Sequence, residues 1–506
     1  MSVKTYLLNL ISRGGQYARN RGSVCSKISR NTGSGKSNTI AHILQQIFRK
    51  EKNYADGAKV ILFDVNGEYH KAFSEKLTTE VVVKYYKPNM EEKENIKGAF
   101  YLPYYLLSLD EWLAFLMASE RTQKPFWDSV LQECFKFYKI FQENDQTKIY
   151  VNYFKWKIRN ILIDIVSVAE NDTNKITMAQ GVIMKCKDII AGIYGNNELD
   201  EFLEKIGKKC EINYGRNDGR LFTYLTGELS IDEESALKTD SQRLKPGEYF
   251  DYKFLKIAVD IVLLEEEAKG NNRIREFTST MISRLNYFLE NPDCDFMREN
   301  HSRYSNEKDY LKKCFGISGK NKTSQLIIID SSEIGTDILE LTTSVISRMI
   351  FDYRKSKQGD ERRKQPIHLV LDEAHRYIKK DTEYILKDNI FERIAREGRK
   401  FSLYLLISSQ RPSELSSTVL SQCGNYIIHR IQNDVDMKFI YSVLPYYSDD
   451  YTTKIKQSVP GEALIFGNCV PMPLQVKIHK ANPDPNSDNC DISQEWFYKE
   501  TIEQTK

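Results

Sequence analysis

Nine cysteines are scattered along the 506 residues without one C-x-x-C pair. Their spacing excludes a zinc ribbon and a disulfide framework and leads to the expectation of a reducing, cytoplasmic setting. Long apolar runs are also missing. None reaches the roughly 20 residues of a membrane-spanning helix, and the run from Tyr6 to Ile11 is too short and poorly framed for a secretion signal. Charge of one sign is absent too: 73 Lys and Arg stand against 70 Asp and Glu, a net +3. The overall balance makes no case for nucleic-acid binding, so any basic surface must be local. There is no internal repeat and no long low-complexity segment. The length leaves room for two or three domains with ample core.

The chain is organised around Asn31-Thr32-Gly33-Ser34-Gly35-Lys36-Ser37, followed by Asn38. Glycines here let the backbone curl so that its N–H groups face phosphate oxygens. Lys36 would neutralise β- and γ-phosphates, and the Ser37 hydroxyl would hold Mg²⁺. Ile40, Ile43, Leu44, Ile47 and Phe48 recur at helical spacing, so the loop is expected at a helix N-terminus, where an anion is favoured. The pattern G-x-x-x-x-G-K-[ST] asks for glycine at position 30, where this chain has Arg30. The preceding Ser23–Ser29 reads as a poor buried strand.

A fully apolar strand, Val60–Phe63, ends in Asp64-Val65-Asn66-Gly67-Glu68-Tyr69. Four consecutive apolar residues suit a parallel strand buried on both faces. An acid at its carboxyl end faces the ligand crevice, which puts Asp64 near the phosphate loop, or leaves it capping a turn. From about 101 to 295 the pattern is helical, with Phe126, Val130, Leu131, Cys134, Phe135 and Tyr138 on one face. Phe254, Ile257, Ala258, Ile261, Leu264 and Glu265 form another stripe, and Ile274, Phe277, Met281, Leu285 and Phe288 a third. These aromatics read as core. Lys205, Lys208, Lys209, Arg216 and Arg220 read as a solvated basic face, with DNA contact the lesser alternative.

The α/β pattern resumes at Gln325–Asp330. A second strand, Ile367–Leu371, ends in Asp372 and Glu373. Asp372 would hold the Mg²⁺ shell, and Glu373 would orient and polarise the attacking water. The strand Leu403–Ile407 leads to Gln410, an amide placed to sense water or the γ-phosphate. Tyr426–Ile428 ends at His429-Arg430, and two more strands follow at Ala463–Phe466 and Leu474–Ile478. Together these parts specify NTP hydrolysis by phosphoryl transfer. No N-K-x-D stretch reads guanine, so ATP with Mg²⁺ is the expected pair. An arginine from within or from a neighbour must stabilise the leaving charge; Arg399 and Arg396 are the first candidates and Arg430 the third.

In order, T-G-S-G-K-S-N-T at Thr32–Thr39, D-V-N-G-E-Y at Asp64–Tyr69, L-P-Y-Y at Leu102–Tyr105 and L-D-E-A-H at Leu371–His375 resemble the HerA/FtsK class of motor ATPases, specifically the HerA-like helicase-translocases. I-A-R-E-G-R-K at Ile394–Lys400, S-S-Q-R-P at Ser408–Pro412 and P-G-E-A at Pro460–Ala463 continue the likeness, which covers most of residues 24–480 outside the helical insert. The resemblance implies a RecA-like core, a hexameric ring and ATP-driven movement of double-stranded DNA, with Arg399 acting across the subunit interface. It also implies a partner effector, a nuclease of the NurA type or a sirtuin-like NAD hydrolase, in DNA end processing or antiphage defence; the lack of a membrane-length apolar run gives the expectation of no membrane. The expected layout is an arm at 1–22, core at 23–100, insertion at 101–295, core again at 320–480, and a tail with a short helix at 481–506. The family's N-terminal β-barrel is expected to be absent. A scaffold that assembles a partner enzyme with weak hydrolysis is the alternative, and a conjugation-type pump a third.

Overall fold

Strands that lie inside a parallel sheet are covered by helices on both faces, so they need apolar residues at every position. Four segments are apolar through most of their length: β2 (Lys59–Asp64), β5 (Leu326–Asp330), β6 (Ile367–Leu371) and β7 (Leu403–Ser409), given that β1 is Cys25–Ser29, β3 Val83–Lys87 and β4 Lys97–Ala99. With β8 (Cys423–Ile428), β9 (Glu462–Gly467) and β10 (Leu474–Lys477) they make one ten-stranded sheet in the order β10-β9-β8-β1-β7-β6-β2-β5-β3-β4. β1 to β8 pair in parallel; β9 runs antiparallel to β8, and β10 antiparallel to β9.

The computed structural model describes residues 25–29, 35–49, 55, 57–74, 81–88, 97–119, 121–167, 172–191, 197–214, 216–298, 304–317, 324–380, 386, 389–444, 449–487 and 496. Arg30 to Ser34, the arm at 1–22 and the expected helix near Ser493–Ile502 (save Trp496) therefore lie outside the described residues.

The chain divides into two compact units, one of residues 1–102 with 307–506 and one of residues 103–306. The first contains the sheet. Its helix Lys36–Phe48 buries the expected Ile40, Ile43, Leu44, Ile47 and Phe48, and also Thr39, Ala41, His42 and Gln45. The second side is covered because a late segment is stitched across it. Asn38 Nδ2 donates to the His479 carbonyl at 3.1 Å, and Asn38 Oδ1 accepts from Ala481 N at 2.7 Å. Gln45 repeats the arrangement about two turns on, with Pro483 O at 2.7 Å and Asn482 N at 2.9 Å.

One expectation fails in this unit. The stretch ending at Ser29, read as a poor buried strand, is β1, and it lies mid-sheet between β7 and β8. Backbone hydrogen bonds to two neighbours hold it where its own side-chain pattern, Cys-Ser-Lys-Ile-Ser, offers little.

The second unit is helical. Gln123–Ile140, Gln146–Val166, Thr173–Ala191, Asn197–Lys209 and Leu255–Ala268 enclose a core of Phe137, Tyr153, Phe154, Ile158, Leu162, Leu203, Ile261 and Leu264. Phe126, Val130, Leu131, Cys134 and Phe135 are buried as core, whereas Phe277, expected on an apolar face, is 49% exposed. In the basic stretch, Lys209 pairs with Glu228 at 3.2 Å, Lys205 stands 4.0 Å from Glu201, and Arg220 donates to backbone carbonyls.

Candidate functional site

The carboxyl ends of β1, β7, β6 and β2 stand side by side in the sheet. Each delivers a polar group to the same edge, the place where open α/β sheets bind ligands. Of the expected phosphate-loop residues, Gly35, Lys36, Ser37 and Asn38 are described; Asn31, Thr32, Gly33 and Ser34 are not. Gly35 takes φ 96°, a left-handed conformation natural to glycine. Its carbonyl accepts from Thr39 N and Thr39 Oγ1, both at 2.7 Å. Thr39 Oγ1 in turn lies 2.9 Å from His429 Nε2, while His429 Nδ1 lies 2.9 Å from the Glu462 carbonyl. The end of β8 is thereby tied to the phosphate-loop helix.

Asp372 and Glu373 follow β6 and are buried. The apolar strand runs out here, and Glu373 takes φ 42°, an uncommon backbone for a residue with a side chain. The turn is held by Arg376 N donating to the Glu373 carbonyl at 2.9 Å and by the Tyr377 hydroxyl donating to the Asp372 carbonyl. Glu373 Oε1 accepts from Lys36 Nζ at 2.6 Å and from Gln410 Nε2 at 2.6 Å. Its other oxygen, Oε2, stands 3.3 Å from His375 Nδ1 but makes no hydrogen bond. Burial pushes the Glu373 carboxyl up; the His375 ring, the Lys36 charge and the donors from Lys36 and Gln410 outweigh it and bring it down to about 2.

Burial and the adjacent Glu373 charge push Asp372 up to about 6, with Lys36 opposing. Asp64 is wholly buried at the end of β2, where Phe63 pairs with Leu371. It does cap a turn: Oδ1 accepts from Glu68 N at 3.1 Å and Oδ2 from Tyr69 N at 2.9 Å. Burial pushes it up to about 8, against those backbone donors and with the Asp372 charge. The capped turn lies beside Asp372.

The three arginines are placed differently. Arg430 follows β8, next to β1, with its Nε buried and unpartnered. Arg396 and Arg399 are exposed. Arg399 precedes β7, whereas Gln410 follows it, so about 20 Å of strand separates them. Gly398 fixes this placement, because a Cβ there would meet the Leu403 carbonyl oxygen at 2.5 Å. Arg399 therefore lies at the opposite edge of the sheet from its own chain's Glu373.

The donor set fits a hydrated divalent cation. Asp372 Oδ1 and Glu373 Oε2 are buried oxygens without partners, and Ser37 follows the Lys36 that reaches Glu373 at the head of the helix. Sequence reasoning did not assign roles to His375, Thr39 or His429, nor to Glu68 and Tyr69. All but His429 stood inside quoted motifs, and only folding of the turn onto Asp64 brings Glu68 and Tyr69 to this edge.

Among protein families, residues 30–213 match the one described as Helicase HerA, central domain. The DNA double-strand break repair helicase HerA of Sulfolobus acidocaldarius is 31% identical over 303 residues, 59% of this chain and 56% of that protein. The probable helicase MJECL08 of Methanocaldococcus jannaschii is 24% identical over 452 residues, 89% of this chain and 64% of its own. Among solved structures, the bacterial conjugative coupling protein TrwBdeltaN70 aligns with 91% of this chain and 86% of its own at 10% identity and a TM-score of 0.40, a likeness too slight to carry an argument. The chain spans about half the length of the HerA relative it matches. With residues 30–213 matched and the quoted motifs gathered at one sheet edge, this part of the chain is similar to the HerA helicase central domain.

Proposed function

We propose that this chain hydrolyses ATP and uses the energy to move or unwind double-stranded DNA, as a subunit of a hexameric ring. One observation carries the hydrolytic part: a single buried carboxylate, Glu373, is held by Lys36 from the phosphate-loop helix and by Gln410 from the neighbouring strand tip. A phosphate at Lys36 competes with Glu373 for the ammonium. That competition frees the carboxylate to orient and polarise a water, with Gln410 holding its position. A magnesium ion, when bound through Ser37 and Asp372, supplies charge neutralisation at the phosphate oxygens. Arg399, at the far edge of its own sheet, suits a role at a neighbour's nucleotide; Arg430, beside β1, suits one within the chain.

The nucleic-acid part rests on kinship. The relative in Sulfolobus acidocaldarius is named for DNA double-strand break repair. From it we infer duplex DNA as substrate and a nuclease or other effector as partner in end processing or defence. The domain layout inferred from sequence fits this reading, with a hydrolytic core interrupted by a helical insertion. Among the described residues no helix is long and apolar enough to cross a membrane.

The test is ATP hydrolysis by the purified chain with and without duplex DNA, alongside Lys36→Ala and Glu373→Gln. DNA-stimulated turnover that both substitutions abolish supports the motor. Turnover absent from the wild-type chain under both conditions rejects a self-sufficient motor and leaves the scaffold alternative.

A further inference from the structure

The motif Asp64-Val65-Asn66-Gly67-Glu68-Tyr69 contributes more to this edge than Asp64. Buried polar atoms nearly always find a hydrogen-bond partner, so several orphans in one place mark something the protein is built to hold. Four such atoms belong to the adjacent tips of β2 and β6: Glu68 Oε2, Tyr69 Oη, Asp372 Oδ1 and Glu373 Oε2. The two strands are paired to their ends, Phe63 against Leu371, so the residues that follow them are neighbours.

The turn after β2 is rigidly folded back. Asp64 takes the N–H groups of both Glu68 and Tyr69, at 3.1 and 2.9 Å. Gly67 has φ 71°, and a Cβ on it would sit 3.1 Å from Asp330 Oδ2. The Glu68 carbonyl accepts from Asn486 N at 2.8 Å. One Glu68 oxygen, Oε1, accepts from Asn66 Nδ2 at 3.3 Å, which leaves Oε2 turned into the protein. Tyr69 has no exposed surface, and its hydroxyl reaches the neighbourhood of Ser37, Asp372 and Glu68. A small cation such as Mg²⁺ keeps several water ligands, and each presents protons that need acceptors. A carboxylate oxygen and a hydroxyl fixed in a buried wall suit that need.

We propose that Glu68 and Tyr69 form the second wall of the divalent-cation site, Glu68 Oε2 accepting from metal-bound water opposite Asp372 and the Tyr69 hydroxyl steadying Ser37. Both act through other groups and are positioning residues. The inference rests on the ATPase reading of the same site.

The experiment is binding of a fluorescent ADP analogue to the full chain, titrated with MgCl₂ and repeated in EDTA, with melting temperature as a folding control. Glu68→Gln raises the Mg²⁺ concentration for half-maximal effect about tenfold, the lower end of what outer-shell partners contribute. Tyr69→Phe, which keeps the ring, raises it about threefold, a weaker case of the same effect. Affinity in EDTA stays at the wild-type value in both. A Mg²⁺ dependence unchanged in both variants overturns the proposal, as does a loss of affinity that is equal in EDTA. If Glu68→Gln does not fold, Tyr69→Phe decides alone. Failure of the wild-type chain to bind the analogue at all is a separate outcome and overturns the ATPase reading with it.

Discussion

Each unit buries a cluster of charges, and the two clusters differ in what they leave over. In the helical unit, Lys136 reaches Asp240 at 2.6 Å and Glu133 at 3.3 Å; Lys157 reaches Glu265 at 2.5 Å and Glu133 at 3.1 Å. The Tyr153 hydroxyl adds contacts to Glu133 at 3.0 Å and Asp240 at 3.2 Å. None of these side chains has an orphaned buried atom. At the sheet edge, Lys36 is the ammonium facing Glu373, and oxygens of Asp372, Glu373 and Glu68 remain unpartnered. A saturated cluster has no capacity for a ligand. An unsaturated one carries a desolvation cost that only binding can remove. Burial of charge alone therefore does not mark a site; the surplus of acceptors does.

The comparison can be broken by mutation. Glu373→Gln at the unsaturated edge is expected to lower ATP turnover by ~10²–10⁴-fold, with a lower melting temperature near neutral pH because Lys36 loses its ion pair. Steady-state hydrolysis and thermal melting on the same sample check both halves. In the saturated cluster the effect moves to stability. Lys157→Ala takes the ammonium from Glu265 and leaves Glu133 with Lys136 and Tyr153; it should cost about 3–5 kcal/mol, read by urea unfolding, while nucleotide affinity is retained. Unchanged turnover in Glu373→Gln together with a lost nucleotide affinity in Lys157→Ala would reverse the assignment.

Acidity sharpens the contrast between adjacent residues. The Asp372 carboxyl is raised from 3.8 to about 6, so its contribution to stability is complete below 3.8 and is lost as pH rises through about 6. Glu373 is lowered from 4.5 to about 2, so its contribution is present above 4.5 and is lost as pH falls towards 2. Asp372→Asn should therefore be more stable than wild type at pH 7, by about 1–3 kcal/mol, and the gap should close below pH 4. Melting curves between pH 3 and 8 in EDTA test the sign. At the small end, Lys209→Ala removes an exposed pair with Glu228 and should change stability by less than about 0.5 kcal/mol in the same unfolding assay.

Much of this was legible in the sequence. β2, β5, β6 and β7 announced themselves because strands covered on both faces must be apolar throughout, and their polar last residues pointed to the ligand edge. Lys36 was read from the phosphate-loop motif, and Glu373 and Gln410 from the tips of apolar strands. β1 was not legible, because its hold on the sheet comes from backbone pairing with β7 and β8. β3 and β4 carry lysines and lie at the sheet's margin, where the apolar requirement lapses. Glu68 and Tyr69 were visible only as letters of a motif, since their use depends on a turn closed by Asp64, Gly67 and Asn486. Arg399 was named from kinship, and its distance from Glu373 follows only from the direction of β7.

The position of β1 sets the order in which the protein can be completed. It is made early, yet both of its partners, β7 and β8, are made late. The helix after it is closed by segments 437 and 441 residues further on. At ribosomal speeds of about 5–20 residues per second, that gap is on the order of half a minute. Through that interval the strand leading into the phosphate loop has open edges, the condition under which nascent chains associate wrongly. The phosphate-loop helix is thus completed late in synthesis, when the chain through Pro483 has emerged and been laid across it.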